Sequence, residues 1–110
     1  VAPMSQELEF QNVSVAREAN VYFDGKVTSR TLGLPDGSQK TLGVMLPGEY
    51  EFGTQAAEEM DISSGELDVL LPDAEDWLKV QGPQVFHVPA NASFKLKVHS
   101  IANYCCTYLS

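Results

Sequence analysis

Turn-forming residues interrupt this chain at intervals too short for helices. Asp24-Gly25, Pro35-Asp36-Gly37, Pro47-Gly48, Ser63-Ser64-Gly65, Pro72-Asp73, Gln81-Gly82-Pro83 and Pro89 each end a short patterned stretch. Glycine and proline supply the backbone angles that tight turns need, and proline cannot donate to the ladder of a central strand. Between these stops the pattern has a period of two. Glu49-Tyr50-Glu51-Phe52 alternates charge with ring. Leu67, Val69 and Leu71 share one face, with Glu66 and Asp68 on the other. Phe94, Leu96 and Val98 alternate with Lys95, Lys97 and His99. Such alternation is the mark of a half-buried strand. No apolar stripe at helical spacing persists for three turns. The expectation is all-β: a single small antiparallel β-barrel of jelly-roll type with little helix.

At 110 residues the chain makes one domain, expected over residues 20–110 and preceded by an N-terminal extension over 1–19. Within the extension, Val13 and Val15 can start a short strand and Ala16 to Ala19 can form one helical turn. Val1-Ala2-Pro3 precedes Met4 and reads as an expression remnant ahead of the natural start. Trp77 and Phe86 are expected in the core.

Seven Lys and Arg stand against 15 Asp and Glu, for a net charge of −8. That balance argues against a nucleic-acid polymer or an anionic membrane as partner, since both demand basic patches. No apolar run is long enough to cross a bilayer, and no basic-then-apolar leader is present. Cys105 and Cys106, the two cysteines, are adjacent and read as reduced thiols. A cytoplasmic location is therefore expected.

The stretch Gly43 to Pro72 holds an acidic pair, an apolar strand, a Ser-Ser-Gly turn, a second apolar strand and a closing proline. That order resembles the first motif of the cupins, small antiparallel barrels in which an HxH pair and a later Glu usually bind a metal. Counting from Gly43, the two histidine places fall on Glu49 and Glu51; counting back from Gly65, the glutamate place falls on Glu58. The second motif would place a histidine where Phe94 stands. The chain looks like a cupin without its metal histidines, so no metal and no cofactor are expected. First-row metals favour imidazole over carboxylate alone.

A narrower resemblance runs from about residue 20 to 109. It is carried by Asn20, Tyr22-Phe23, Gly25-Lys26-Val27, Ser29, Gly43-Val44-Met45, Gly48-Glu49-Tyr50, Phe52, Glu58-Glu59-Met60 and Ser64-Gly65. It continues through Leu71-Pro72-Asp73-Ala74, Asp76-Trp77, Phe86, Val88-Pro89, Tyr104, Cys106 and Tyr108-Leu109. Together these residues resemble the small cupin-type pyrimidine/purine nucleoside phosphorylases of bacteria. The resemblance implies phosphorolysis of several nucleosides to free base and ribose 1-phosphate, with nucleosides and inorganic phosphate as partners. It also implies a homodimer.

Beside that resemblance, the residues suggest roles. Glu58 and Glu59 are adjacent in a strand, so they point to opposite faces, and Glu58 shares the face of Met60 and Ile62. An interior Glu58 could accept hydrogen bonds from ribose hydroxyls or stabilise positive charge growing at the anomeric carbon. Glu59 takes that place if the register is shifted by one, and Glu49 is the next carboxylate. Tyr50 could stack on a base. Phosphorolysis needs a cation for its attacking anion. Lys26 is the candidate, with Arg30 on the same strand face. His87 and His99 lie off the family pattern and read as ordinary rim histidines. Two other readings stay open: a cupin barrel that binds a sugar or nucleoside without turnover, and a metal-dependent cupin oxygenase or isomerase, which the missing histidines disfavour.

Overall fold

Every regular element among residues 9–109, which the computed structural model describes, is a strand or a single 3-10 turn at Phe23–Gly25. The reading of residues 1–3 as a remnant lies outside the described residues. The strands are β1 (Ser14–Val15), β2 (Asn20–Tyr22), β3 (Val27–Gly33), β4 (Gln39–Met45), β5 (Gly48–Gly53) and β6 (Ala57–Ser64). They continue as β7 (Glu66–Leu70), β8 (Leu78–Gln81), β9 (Gln84–Val88), β10 (Ser93–Val98) and β11 (Ala102–Leu109). Ala16 to Ala19 makes no helical turn; it is a bend between β1 and β2. Ser14–Val15, within the segment read as an extension, pairs with Leu32–Gly33 of β3.

All pairings are antiparallel, and they form two sheets. The larger has seven strands in the order β1-β3-β4-β11-β6-β9, with β2 also on β3; the smaller runs β5-β10-β7-β8. The architecture is the expected all-β, antiparallel fold of jelly-roll type; among the described residues no ladder joins the two sheets, which pack face to face without closing the barrel. The chain passes between layers at Leu46-Pro47, residues 54–56, Gly65, Gly82-Pro83, residues 89–92 and residues 99–101, and turn-forming residues stand at most of these crossings. Gly65 is the tightest of these. Its φ is +105°, and a Cβ there would lie 2.6 Å from the Cα of Ala102.

The interior follows the alternation. Val27, Met45, Met60 and Ile62 from the large sheet cluster with Leu67, Val69, Phe94 and Leu96 from the small one. Each such side chain, fully buried, contributes about 1.5–3 kcal/mol. Phe86 joins the core at 4% exposure. Trp77 does not. It precedes β8 on the side of Lys79, which is outward, and Lys97 Nζ lies 4.3 Å from its ring centroid. The outer face of the small sheet is a charge ladder: Glu49 opposes Lys97, and Glu51 opposes Lys95. Asp68 stands opposite both Lys97 and Lys79. Opposite charges directly across antiparallel strands favour this register. Among the described residues, no helix is long and apolar enough to cross a membrane.

Candidate functional site

A cavity of about 350 Å³ opens between the sheets. Strand periodicity builds its polar wall. On β11, Tyr104, Cys106 and Tyr108 are two residues apart and all line the cavity, while Cys105 faces the other way. Thr41 of β4 is the cross-strand partner of Cys106, and Glu58 of β6 is the partner of Tyr108. Ser29 of β3 adds another hydroxyl. The small sheet contributes the opposite, aromatic wall. Phe52 of β5 and Phe94 of β10 stack with centroids 5.9 Å apart. Tyr22 meets Phe52 edge-on at 5.9 Å and stands at the open end. Thr54 ties the exit of β5 to the loop before β10: its hydroxyl donates to the Pro89 carbonyl at 2.7 Å and accepts from the Ala92 N–H at 3.1 Å.

The polar wall carries one carboxyl among hydroxyls and a thiol. Burial pushes the Glu58 carboxyl above its usual range, and the neighbouring Cys106 thiol offsets part of that rise. Burial, reinforced by the charge of Glu58, pushes the Cys106 thiol up to about 12. Burial likewise takes Tyr104 to about 12 and raises Tyr108. Cys106 is therefore a protonated thiol at neutral pH and not a thiolate nucleophile. Among the described residues, no Lys, Arg or His lines this cavity.

The residues singled out from the sequence scatter around this space. Glu58 lines it. Glu59 turns to the outer face of the large sheet, where His87 Nε2 is 3.2 Å from its Oε1. Glu49 and Glu51 are exposed on the outer face of the small sheet. The inward positions of β5 are Tyr50 and Phe52, so the count that put the histidine places on Glu49 and Glu51 selected the wrong face for an interior set. A core that excludes charge takes the rings. Tyr50 is buried behind Phe52, its hydroxyl donating to the Leu46 carbonyl at 2.6 Å. Lys26 is exposed at the exit of the 3-10 turn, and Arg30 is exposed on the face of β3 opposite Ser29. His99 lies on the outer face of the small sheet, 3.0 Å from Asp68. Among the described residues, no three His, Cys, Asp or Glu side chains are grouped to hold a metal ion.

Sequence reasoning assigned no site role to Ser29, Thr41, Tyr22, Phe52 or the β11 trio. The alternation of Tyr104, Cys106 and Tyr108 was the available signal. It shows that they share a face, but not that a carboxylate faces them from the next strand.

The two sheets and the cavity between them define a small cupin-like β fold. A crystal structure of a protein of unknown function from Acinetobacter sp. superposes with a TM-score of 0.90 and 37% identity, over 92% of this chain and 98% of that one. A cupin domain from Schizosaccharomyces pombe superposes with a TM-score of 0.60 at 15% identity, over 82% and 69% of the two chains, a likeness of fold alone. The profile of the pyrimidine/purine nucleoside phosphorylase family matches residues 17–108. A pyrimidine/purine nucleoside phosphorylase of Sulfurovum sp. is 60% identical over 101 residues, 92% of this chain and 98% of the relative. One from Geotalea uraniireducens is also 60% identical, over 92% and 97%. The chain belongs to the pyrimidine/purine nucleoside phosphorylase family.

Proposed function

We propose that this chain is a nucleoside phosphorylase of broad specificity. It converts purine and pyrimidine nucleosides plus phosphate to free base and ribose 1-phosphate in the cavity between the sheets. One observation carries the reading: the family match over residues 17–108 encloses every residue that lines the cavity. The reaction is a pentosyl transfer. The bond from the anomeric carbon to the base nitrogen breaks with its electron pair going to the base, and a phosphate oxygen bonds to the same carbon. Glu58 is the carboxyl proposed to act at the sugar. The stacked rings of Phe52 and Phe94 hold a base by its face, and every base has one. That favours tolerance of both base classes.

The chemistry is proposed to need no metal, because rings occupy the inward places of β5 and Phe94 stands at the second motif's histidine place. The working unit is residues 20–110, since the lining residues run from Tyr22 to Tyr108. Residues 1–19 are its extension. A homodimer in the cytoplasm is also proposed. Val21, Tyr22 and Phe23 are 61%, 44% and 41% exposed near the open end of the cavity, an apolar surface that a second copy would cover. Lys26, exposed beside the 3-10 turn, is proposed to meet phosphate across that subunit boundary, whereas Arg30, Glu49 and Glu59 lie on outer faces away from the cavity. Tyr50 is proposed to act through Phe52 by packing behind it.

The test is incubation of the purified chain with uridine and with adenosine, with and without phosphate. Phosphate-dependent release of free base is expected from both. Nucleoside binding without release of base sinks the reading.

A further inference from the structure

We infer that Glu58 enters the reaction as a neutral carboxyl and is the general acid that protonates the departing base. It thereby becomes the carboxylate that faces the sugar cation as that cation forms. The inference rests on the phosphorolysis reading above and deepens it.

Elimination within the cavity supports the assignment. A base leaving a nucleoside must gain a proton, on a ring nitrogen or a carbonyl oxygen, or it departs as a poor anionic leaving group. A general acid works best when its pKa lies near the operating pH. From β11 the groups facing Glu58 are Cys106, held near 12, and Tyr108, raised by burial; Tyr104, also near 12, lies further along the strand. From β4 there is Thr41, which does not titrate in this range, and from β2 Tyr22. β9 presents Val88 as the partner of Glu58 and turns His87 outward. The small sheet presents Phe52 and Phe94. Among the described residues, no charged side chain other than Glu58 lines the cavity. Glu58 is thus, among the described residues, the one carboxyl on the cavity wall, and burial shifts it upward from the usual carboxylate range.

The placement suits the step. A base lying against Phe52 and Phe94 faces the polar wall on which Glu58 sits. As the glycosidic bond breaks, its electrons and the Glu58 proton go to the base. Glu58 is left with one negative charge when the sugar carries one positive charge. Phosphate then bonds to the anomeric carbon, and Glu58 recovers a proton from solvent before the next cycle. The direction of the carboxyl's shift agrees with this order. Burial favours its neutral form, and an incoming phosphate anion with no cation on the cavity wall favours it further.

A nucleoside whose base leaves without needing a proton separates this role from a fixed negative charge. 7-Methylguanosine is such a probe, because its base departs as a neutral molecule once the bond breaks. Glu58→Gln keeps the shape and removes the proton. It is expected to lower kcat for uridine and adenosine by on the order of 10²–10⁴. For 7-methylguanosine the loss should be less than about tenfold. Equal losses on all three substrates, or no loss on any, overturn the inference while leaving phosphorolysis standing. The wild-type chain gives an independent reading that needs no variant: kcat for adenosine should fall as pH rises through the raised carboxyl pKa. A kcat that is flat or rises across that range overturns the inference. If the wild-type chain releases no base from any of the three substrates in phosphate, the functional reading falls, and the inference with it.

Discussion

The ring of Tyr104 occupies the space that a side chain on Gly43 would need. A Cβ built on Gly43 would lie 2.7 Å from Cζ of Tyr104 and 2.8 Å from Cε1. The two residues are direct partners across β4 and β11. The bare glycine backbone lets a large ring lie over the sheet and reach the cavity wall. Gly43→Ala is expected to destabilise the fold by about 1–3 kcal/mol through overpacking. The nearest atom to such a Cβ is the Thr28 carbonyl oxygen, so the methyl strains the β3–β4 ladder as well as the ring, and kcat/KM should fall with any displacement of Tyr104 at the cavity wall. Thermal melting and steady-state phosphorolysis check both; unchanged kinetics would mean that the Tyr104 position is not critical.

Phe52→Ala removes half of the stacked pair that forms the aromatic wall. Base–aromatic stacking is worth about 1–3 kcal/mol. The KM for uridine and for adenosine should therefore rise about tenfold or more, and by similar factors. A change confined to the purine would show that the wall reads the base edge and not its face.

Cys106→Ser tests whether the thiol is a neutral donor. With its pKa pushed to about 12, only about one Cys106 in 10⁵ is ionised at pH 7. Serine preserves a donor of similar size, so kcat should stay within about tenfold of the parent. A loss beyond 10³-fold would identify a covalent role that the protonation state argues against.

Glu58 links activity to stability with a definite sign. Its folded pKa lies above the unfolded value, so the folded state binds the proton more tightly. The native state then loses relative stability as pH rises from the unfolded pKa through the folded one, and below both values there is no penalty. Glu58→Gln should accordingly melt at or above the parent at pH 8 and lose that advantage at pH 4. The substitution expected to cost turnover should cost no stability near neutral pH. A lower melting temperature at pH 8 would show that the carboxylate is held by favourable contacts instead.

The sequence made the strands legible because their stops are chemical. Asp36 turns the β3–β4 hairpin by accepting the Ser38 N–H at 2.8 Å and hydroxyl at 2.6 Å, and Gly65 is required by its backbone angle. The inward direction of Glu58 was legible from Met60 and Ile62, its neighbours at spacing two and four. Closure was not. Whether sheets meet edge to edge depends on long-range pairing, which alternation within one strand does not encode. Trp77 misled because hydrophobicity alone suggested the core, while its place just before β8 put it over Lys97. Ser29 and Thr41 were hidden by composition: small hydroxyl residues in a Thr- and Val-rich strand suit strand propensity whether or not they face a ligand. The motif count that chose Glu49 and Glu51 was one residue from Tyr50 and Phe52, and a shift of one residue exchanges the faces of a strand.

The neighbouring cysteines of β11 give the molecule a built-in clock. Cys105 is half-buried on the outer face and Cys106 is buried on the cavity wall, though one peptide bond separates them. A thiol-alkylating reagent meets the first from bulk solvent and the second only when the sheets part or the cavity is empty. The lag between the two labels reflects both access to the cavity wall and the low thiolate fraction of Cys106. A nucleoside that lengthens the lag for Cys106 alone reports its own occupancy, without any chemistry having taken place.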